Sequence, residues 1–334
     1  MVGAVNYFKI ENGTFKGFSE EIRIPHGIRR IAPLALAPLT NMKILVLPDT
    51  VEHFAPSDLR KPYDTSTKST CGFWGIKAHP QRLQEIHILG ESQLYRSENG
   101  VLYSADGKRL IYLPPSHHYE TVEIREGALE LSEESCCFVA AKKIVFPETL
   151  LRVSDRACCA SNLSRSMIPS CEIGRSAFQG SVLPKYVDIY NEVIPEKAFA
   201  NCSGVKGIRL HHSVRLVKNE AFSYTDIRKI YIPAQTQIEA NAFVREKQRL
   251  IGSEAVQRNN DGLREVRSNY EKYMENDKEL IIGGESGSPA EAFAGMNGIP
   301  FEVVGKSDEE IKAWLGWQER DEGDAEIADG IFCF

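Results

Sequence analysis

The chain has 334 residues, and its 40 basic and 46 acidic side chains give a net charge of −6. That balance argues against a general nucleic-acid partner, because binding to the phosphate backbone needs an excess of Lys and Arg. No run of about 18 apolar residues occurs, so no membrane span is predicted. The first residues lack a charged segment followed by an apolar one, so no signal peptide is predicted. A cytoplasmic location is therefore expected, with secretion or the cell surface as the alternative if the chain has been trimmed.

A phrase of about 22 residues recurs along the chain and predicts a repeat protein. It is clearest as Ile-Tyr-Ile-Pro at residues 230–233, followed by Ile238 and by Ala-Phe at residues 242–243. The β-branched alternation has period two and predicts a short strand, which Pro ends because it has no N–H for a continuing ladder. The Ala-Phe pair is predicted to fill the interior from the opposite side. One coil cannot bury its own apolar face, so the copies are expected to stack into a solenoid with a parallel sheet on one side.

The copies determine the predicted organisation of the chain. An N-terminal cap is predicted at residues 1–18 and the solenoid at residues 19–244. Residues 52–84 are polar and lack the repeat pattern, so they are predicted to form a loop that projects from the second coil. The repeat strands are predicted near Ile22, Leu45, Val122, Ile144, Met167, Val187, Ile208 and Ile230.

Residues 245–278 are strongly charged and interrupt the repeat. Their apolar residues recur at helical spacing, so an inserted amphipathic helix is predicted there. Its apolar stripe is expected to pack on the last coils, with a partner-binding helix as the alternative. The residues of this stripe are Leu263, Val266, Tyr270, Tyr273 and Met274.

Residues 305–334 are predicted to hold a short helix and an acidic tail. Ser307 lies three residues before Glu310, which is a capping-box pattern, and Ile311, Trp314 and Leu315 form an apolar stripe. The acidic residues that follow are expected to be solvated. Docking of the apolar C-terminus on the solenoid or on a partner is the alternative.

The Ile-x-Ile-Pro strands, the Val-x-x-Ile-Gly turns and the Ala-Phe-x-x-Cys segments resemble the BspA-like leucine-rich repeats of bacteria, over roughly residues 20–304. Residues 97–114, with Asp106 and Gly107 at the turn, are similar to that family's two-stranded insertion, so a β-hairpin is predicted at 94–114. Residues 284–301 are similar to its terminal coil, predicted at 279–304. The resemblance implies an α/β solenoid: a right-handed leucine-rich-repeat superhelix with a parallel sheet of short strands on the concave face, plus the hairpin and C-terminal helices.

For function the resemblance implies only that members bind macromolecules, often as bacterial surface or secreted proteins. It brings no catalytic residues. The sequence contains no P-loop, nucleophile elbow or calcium loop, so no enzyme activity and no cofactor is predicted. Cys and His do not occur at zinc spacing, so no metal site is predicted.

Cys136 and Cys158 stand where other copies have Phe, so they are predicted to be small buried side chains. They are 22 residues apart and should lie in adjacent coils, about 5 Å from each other. That separation allows a disulfide, although reduced thiols are expected.

The candidate binding surface is the strand face, the outward side of the predicted sheet. Equal positions of successive repeats become neighbours there, so outward residues form columns. The columns bring basic residues together with Tyr and Met, residue types that interfaces use. An ordinary solvated sheet face is the alternative. The candidate partner-binding residues are Lys143, Arg165, Met167, Tyr186, Asp188, Arg209, Lys229 and Tyr231.

The sequence thus predicts a non-catalytic interaction module that binds a protein or peptide through its strand face, with a glycan as a further candidate ligand. The alternative is a structural or adhesive surface protein. In that case the repeats are a spacer, and the loop at 52–84 or the acidic tail makes the contact.

Overall fold

The computed structural model describes residues 20–31, 36, 41–54, 82–258 and 264–318. The predicted cap at 1–18, most of the predicted loop at 52–84 and the acidic tail beyond residue 318 lie outside the described residues. The predicted solenoid of stacked parallel strands is confirmed.

The N-terminal sheet has three parallel strands, β1 (Glu21–Arg23), β2 (Ile44–Pro48) and β3 (Glu85–Leu89). Ile22, Leu45 and Ile86 are in register and all three are buried, as the period-two pattern requires. They belong to a first apolar core that ends at Tyr112.

The predicted β-hairpin joins this core to the next one. It consists of β5 (Val101–Ser104) and β6 (Arg109–Tyr112), with β4 (Tyr95–Glu98) added antiparallel to β5. Leu102 packs in the N-terminal core, whereas Val101 and Tyr103 pack in the central core. Alternate residues of β5 therefore pack on opposite sides of the hairpin, and the hairpin separates the two cores while contacting both. Burial raises the pKa of Tyr103 to about 12.

The central coils alternate strands of the strand face with short return strands. The face strands form two parallel groups, β7–β9 and β12–β14–β16. The return strands β13–β15–β17 form a third parallel sheet, whereas β8, β10 and β11 extend the sheet of the hairpin through the parallel pair of β6 and β8. In chain order the strands are β7 (Thr121–Glu123), β8 (Glu130–Leu131), β9 (Lys143–Val145), β10 (Arg152–Val153), β11 (Glu172–Ile173), β12 (Tyr186–Ile189), β13 (Val193–Ile194), β14 (Gly207–Leu210), β15 (Leu216–Val217), β16 (Lys229–Tyr231) and β17 (Gln237–Ile238).

The face ladder is interrupted between β9 and β12. The backbone N–H of Ile144 donates to the side-chain oxygen of Ser166 at 2.9 Å, so a hydroxyl takes the place of a backbone acceptor. The segment that carries Arg165 and Met167 forms no strand, so the prediction of a repeat strand near Met167 is wrong.

A stack of aromatic rings fills the interior behind the strands. Phe178, Phe199, Phe222 and Phe243 follow one another with ring centroids 5.3, 5.5 and 5.5 Å apart and planes within 11° of parallel. All four are buried. The Ala before each Phe is buried as well, which lets adjacent coils approach closely. Each ring therefore packs on the ring of the neighbouring coil, which links adjacent coils through apolar contact.

Two pairs of cysteines continue this stack towards the N-terminus. Cys136 and Cys158 occupy the Phe position and are buried, as predicted, and a hydrogen bond between their thiols raises the pKa of Cys158 above its ordinary value. The second pair is Cys137 and Cys159, whose Sγ atoms lie 2.6 Å apart. All four are free thiols.

Oxidation is expected to bridge Cys137 to Cys159, because their sulfur atoms need to move little to reach the disulfide length of about 2.05 Å. Diamide supplies the oxidant, taking up the two electrons and two protons that the thiols release. The expected result is one disulfide between the peptides that contain residues 137 and 159, found by mass spectrometry. It should persist in the Cys136→Ala/Cys158→Ala variant and disappear in Cys137→Ala/Cys159→Ala. The reverse pattern would show that the other pair reacts.

The prediction of a helix at 245–278 is wrong. The chain forms an antiparallel ribbon of β18 (Val244–Arg258) and β19 (Arg264–Asn276), with register shifts between Leu250 and Gly252 and between Ala255 and Gln257. The helical spacing of apolar residues is a local signal, whereas each strand of the ribbon is stabilised by backbone bonds to the other.

The C-terminal coil closes the solenoid. It contains β20 (Ile281–Gly284), α1 (Pro289–Asn297) and β21 (Phe301–Val303), and β20 pairs in parallel with β16. Phe293 of α1 packs edge-on against Phe243 with ring centroids 5.9 Å apart, which ends the aromatic stack.

The predicted C-terminal helix is present as α2 (Asp308–Leu315). Ser307 and Glu310 form the predicted capping box, and Gly316 ends the helix in the left-handed region. Neither α1 nor α2, the helices of the described residues, is long and apolar enough to cross a membrane.

Candidate interaction site on the strand face

Parallel pairing aligns the outward residues of the last strands in two rows. The first row runs Tyr186, Gly207, Lys229, Ile281, and the second runs Asp188, Arg209, Tyr231, Gly283. Because the repeat length keeps these strands in register, the side chains of each row lie side by side on the strand face.

Helix α2 lies over these rows and contacts β14 and β16. A small apolar cluster forms beneath it from Tyr231, Val304, Ile311 and Leu315. Tyr186, Trp314 and Trp317 pack against this cluster. We call the floor under α2 the helix groove; it consists of Tyr186, Gly207, Arg209, Lys229, Tyr231 and Gly283.

The N-terminal end of α2 is held by Arg209. The guanidinium of Arg209 donates two hydrogen bonds of 2.6 Å to the two carboxylate oxygens of Asp188. Its Nη1 lies 3.0 Å from Oδ1 of Asp308, in the first turn of α2. Burial opposes the charged form of Arg209, but the bonds to Asp188 outweigh it and raise its pKa above the ordinary value.

The C-terminal end of α2 is held through its backbone. Lys229 Nζ donates to the carbonyl oxygen of Trp314 at 2.7 Å, and the hydroxyl of Tyr186 donates to that of Gly316 at 2.7 Å. The last carbonyls of a helix have no partner within the helix and carry its negative dipole end. Lys229 and Tyr186 therefore bind carbonyl groups that the C-terminal end of any helix exposes.

Aromatic contacts complete the fit. The rings of Tyr186 and Trp317 stack with centroids 5.3 Å apart, and Lys229 Nζ lies 4.8 Å from the centroid of the Trp314 ring. The indole N–H of Trp314 donates to Glu302 at 2.6 Å. The rim of the groove is therefore polar around an apolar centre, as in protein interfaces.

Two strand glycines create the space for these side chains. A Cβ atom on Gly283 would lie 2.6 Å from Cη2 of Trp314, closer than atoms can approach. A Cβ atom on Gly207 would lie 2.8 Å from Cδ1 of Tyr186 and 3.3 Å from Cδ2 of Leu315. The missing side chains allow Trp314 and Leu315 to rest on the sheet backbone.

The structure brings five of the eight candidate residues together, namely Tyr186, Asp188, Arg209, Lys229 and Tyr231. Three of the eight are buried, namely Arg209 and Tyr231, which α2 covers, and Lys143 in β9. Burial lowers the pKa of Lys143 below its ordinary value, although nearby Glu123 opposes the change.

Arg165 and Met167 lie apart from these five, in the segment where the face ladder is interrupted. Both are exposed, and Met167 retains 75% of its surface. They are the two exposed residues among the eight candidates.

The helix α2 was predicted from the sequence, but the residues that it contributes to this site were not. Asp308, Ile311, Trp314 and Leu315 all contact or cover the strand face. The signal that could have placed them is the Gly at positions 207 and 283, where other repeats have larger outward residues.

Another groove, of about 340 Å³, lies on the N-terminal sheet. Its lining includes Arg23, Val46 and His87, and Arg23 is paired with Glu21 at 2.5 Å. Within the described ranges, no three His, Cys, Asp or Glu side chains converge in a way that could hold a metal ion.

Comparison with known proteins shows what this chain is similar to. The profile of the BspA type leucine rich repeat region matches residues 130–249 in six copies. No curated protein matches the chain.

Three solved structures are similar to the chain at low identity. A leucine-rich repeat protein from Eubacterium ventriosum is 16% identical with a TM-score of 0.44, over 58% of this chain and 52% of its own. The pneumococcal vaccine antigen PcpA is 12% identical with a TM-score of 0.48, over 89% of this chain and 61% of its own. A leucine rich cell surface protein from Faecalibacterium prausnitzii is 19% identical with a TM-score of 0.41, over 67% of this chain and 56% of its own. The chain thus spans between 52% and 61% of these solved chains.

Proposed function

Because residues 130–249 of this chain are BspA type leucine-rich repeats, we propose that the protein is a non-catalytic interaction module that binds a protein or peptide through its strand face. Repeats of this type are generally non-catalytic, and stacked repeats offer an extended surface that suits a macromolecule.

The observation that carries the proposal is the way in which the strand face holds α2. The face supplies an ion pair from Arg209, hydrogen bonds from Lys229 and Tyr186, and stacking on Trp317. Tyr and Arg anchors of this kind dominate the energetics of protein interfaces. A polypeptide segment, rather than a glycan, is therefore the favoured ligand.

The accessible part of the strand face is the place to test the proposal. Arg209 and Lys229 are unsuited to a charge-reversal test, because each contacts α2 within the chain. Arg165 and Met167 are exposed, so changing them alters the surface and not the interior.

The Arg165→Glu/Met167→Glu variant is expected to lose at least tenfold in partner capture, because it replaces a basic and an apolar contact by two acids. Capture is measured from a cell lysate and from a surface extract, since the sequence allows either location. The matched control is Leu151→Glu/Arg152→Glu, which makes the same changes at exposed residues of the return side. Both variants are expected to melt like the wild type.

Equal capture by the two variants and the wild type would contradict the proposal. It would favour the alternative of a structural or adhesive protein in which the repeats are a spacer.

A further inference from the structure

We infer that the helix groove is a docking site for an amphipathic helix of a partner protein, and that α2 is a tethered occupant which the partner helix replaces. The partner helix has an acidic residue in its first turn and apolar residues three, six and seven positions later. Asp308, Ile311, Trp314 and Leu315 have this spacing in α2. The inference rests on the proposed strand-face function and names the class of partner.

Helix α2 is separate from the central core. Its apolar cluster joins Tyr231 to Val304, Ile311 and Leu315, whereas the central core contains no residue of α2. Release of α2 therefore leaves the central core packed. A helix of about two turns is marginal in water, so α2 depends on the groove for its helical structure.

The helix groove contacts features that other amphipathic helices share with α2. Lys229 and Tyr186 bind backbone carbonyls at the helix end and not side chains of one sequence. Gly207 and Gly283 accept an aliphatic and an aromatic side chain by leaving room for them. The requirement on the occupant is thus a short pattern on one helix face.

The helix groove and α2 have complementary charges. Arg209 and Lys229 are the basic residues of the groove, and the first turn of α2 contains Asp308, Glu309 and Glu310. Arg209 is placed at the acidic end of the helix and Lys229 at its carbonyl end, so each cation meets a negative charge or dipole end. This arrangement fixes the direction in which a helix binds.

The covalent linker makes α2 a strong competitor of a free helix for the helix groove. Residues 304–307 connect β21 to α2, and such a short linker gives an effective concentration on the order of millimolar. A free helix of similar intrinsic affinity is therefore expected to bind the wild-type protein weakly. Binding should become tighter once α2 no longer docks.

The experiment uses the full chain with Ile311→Glu and Leu315→Glu, which place two charges in the apolar cluster and release α2. Two fluorescein-labelled peptides serve as probes and are followed by anisotropy. One has the sequence of residues 304–318, and the other keeps only Asp308, Ile311, Trp314 and Leu315 within a polar helix-forming sequence. The released variant is expected to bind both peptides at least about tenfold more tightly than the wild type.

Release of α2 itself is measured by tryptophan fluorescence. The emission of Trp314 and Trp317 is expected to shift to longer wavelength in the released variant, while the thermal transition of the solenoid persists. The matched control adds Gly283→Val to the released variant. A side chain at this position fills the space taken by Trp314, so the control should lose peptide binding although α2 is free.

Equal peptide binding by the wild type and the released variant would overturn the inference, as would binding that survives Gly283→Val. Binding of the native peptide without the pattern peptide would show that the groove serves α2 alone, which also overturns it. The proposed function fails separately, when partner capture does not depend on Arg165 and Met167.

Discussion

Replacing Phe199 with Ala is expected to lower the free energy of unfolding by about 3–5 kcal/mol. Phe199 is fully buried, and its ring stacks between Phe178 and Phe222. Its loss removes apolar contacts on both sides and leaves a gap in the middle of the stack. The stability of a solenoid depends on contacts between neighbouring coils, so one gap weakens two interfaces.

Urea denaturation followed by circular dichroism measures this change. The matched control is Leu151→Ala, which truncates a side chain that is 64% exposed and should change stability by no more than about 0.5 kcal/mol. Similar losses in the two variants would mean that the aromatic stack does not stabilise the solenoid.

Replacing Arg209 with Met is expected to lower the free energy of unfolding by about 2–3 kcal/mol. Removing one partner of a buried ion pair costs about 3–5 kcal/mol, because the remaining charge has no counter-charge. The side chain of Arg209 is 8% exposed and that of Asp188 is 22% exposed, so water reaches Asp188 and reduces the penalty. The same change removes the contact between Arg209 and Asp308.

Denaturation of a double-mutant cycle tests this explanation. Adding Asp188→Asn to Arg209→Met should restore part of the lost stability, because it removes the uncompensated carboxylate. The control is Arg29→Met, which breaks the exposed pair with Glu52 and should cost less than about 1 kcal/mol. A double variant that is less stable than Arg209→Met alone would rule out the uncompensated charge as the cause.

The repeat pattern was sufficient to predict most of the fold, for a local reason. The strand at residues 229–231, the buried Ala-Phe pair and the capping box at Ser307 each depend on residues within a few positions of one another. In these three elements the local side chains and the observed backbone conformation agree. The apolar alternation shared by these repeats then makes the register of β12, β14 and β16 predictable as well, because Val187, Ile208 and Ile230 occupy the same position of the pattern.

The ribbon of β18 and β19 shows where this reasoning is insufficient. The segment has apolar residues at helical spacing, yet its strands pair Val244 with Asn276 and Arg258 with Arg264. Backbone pairing between two stretches of the same insertion outweighs the local periodicity. The apolar spacing of one stretch carries no information on whether that stretch pairs with another, so the prediction of a helix was wrong.

The sequence by itself determined the solenoid, the columns of the strand face and the existence of α2. Only the tertiary structure decided that α2 covers Arg209 and Tyr231 while Arg165 and Met167 stay exposed. Contact between Tyr186 and Gly316 joins residues 130 positions apart in the chain. Such a contact depends on how the coils place Gly207 and Gly283 beneath the helix, because a Cβ atom at these positions would crowd Leu315 and Trp314.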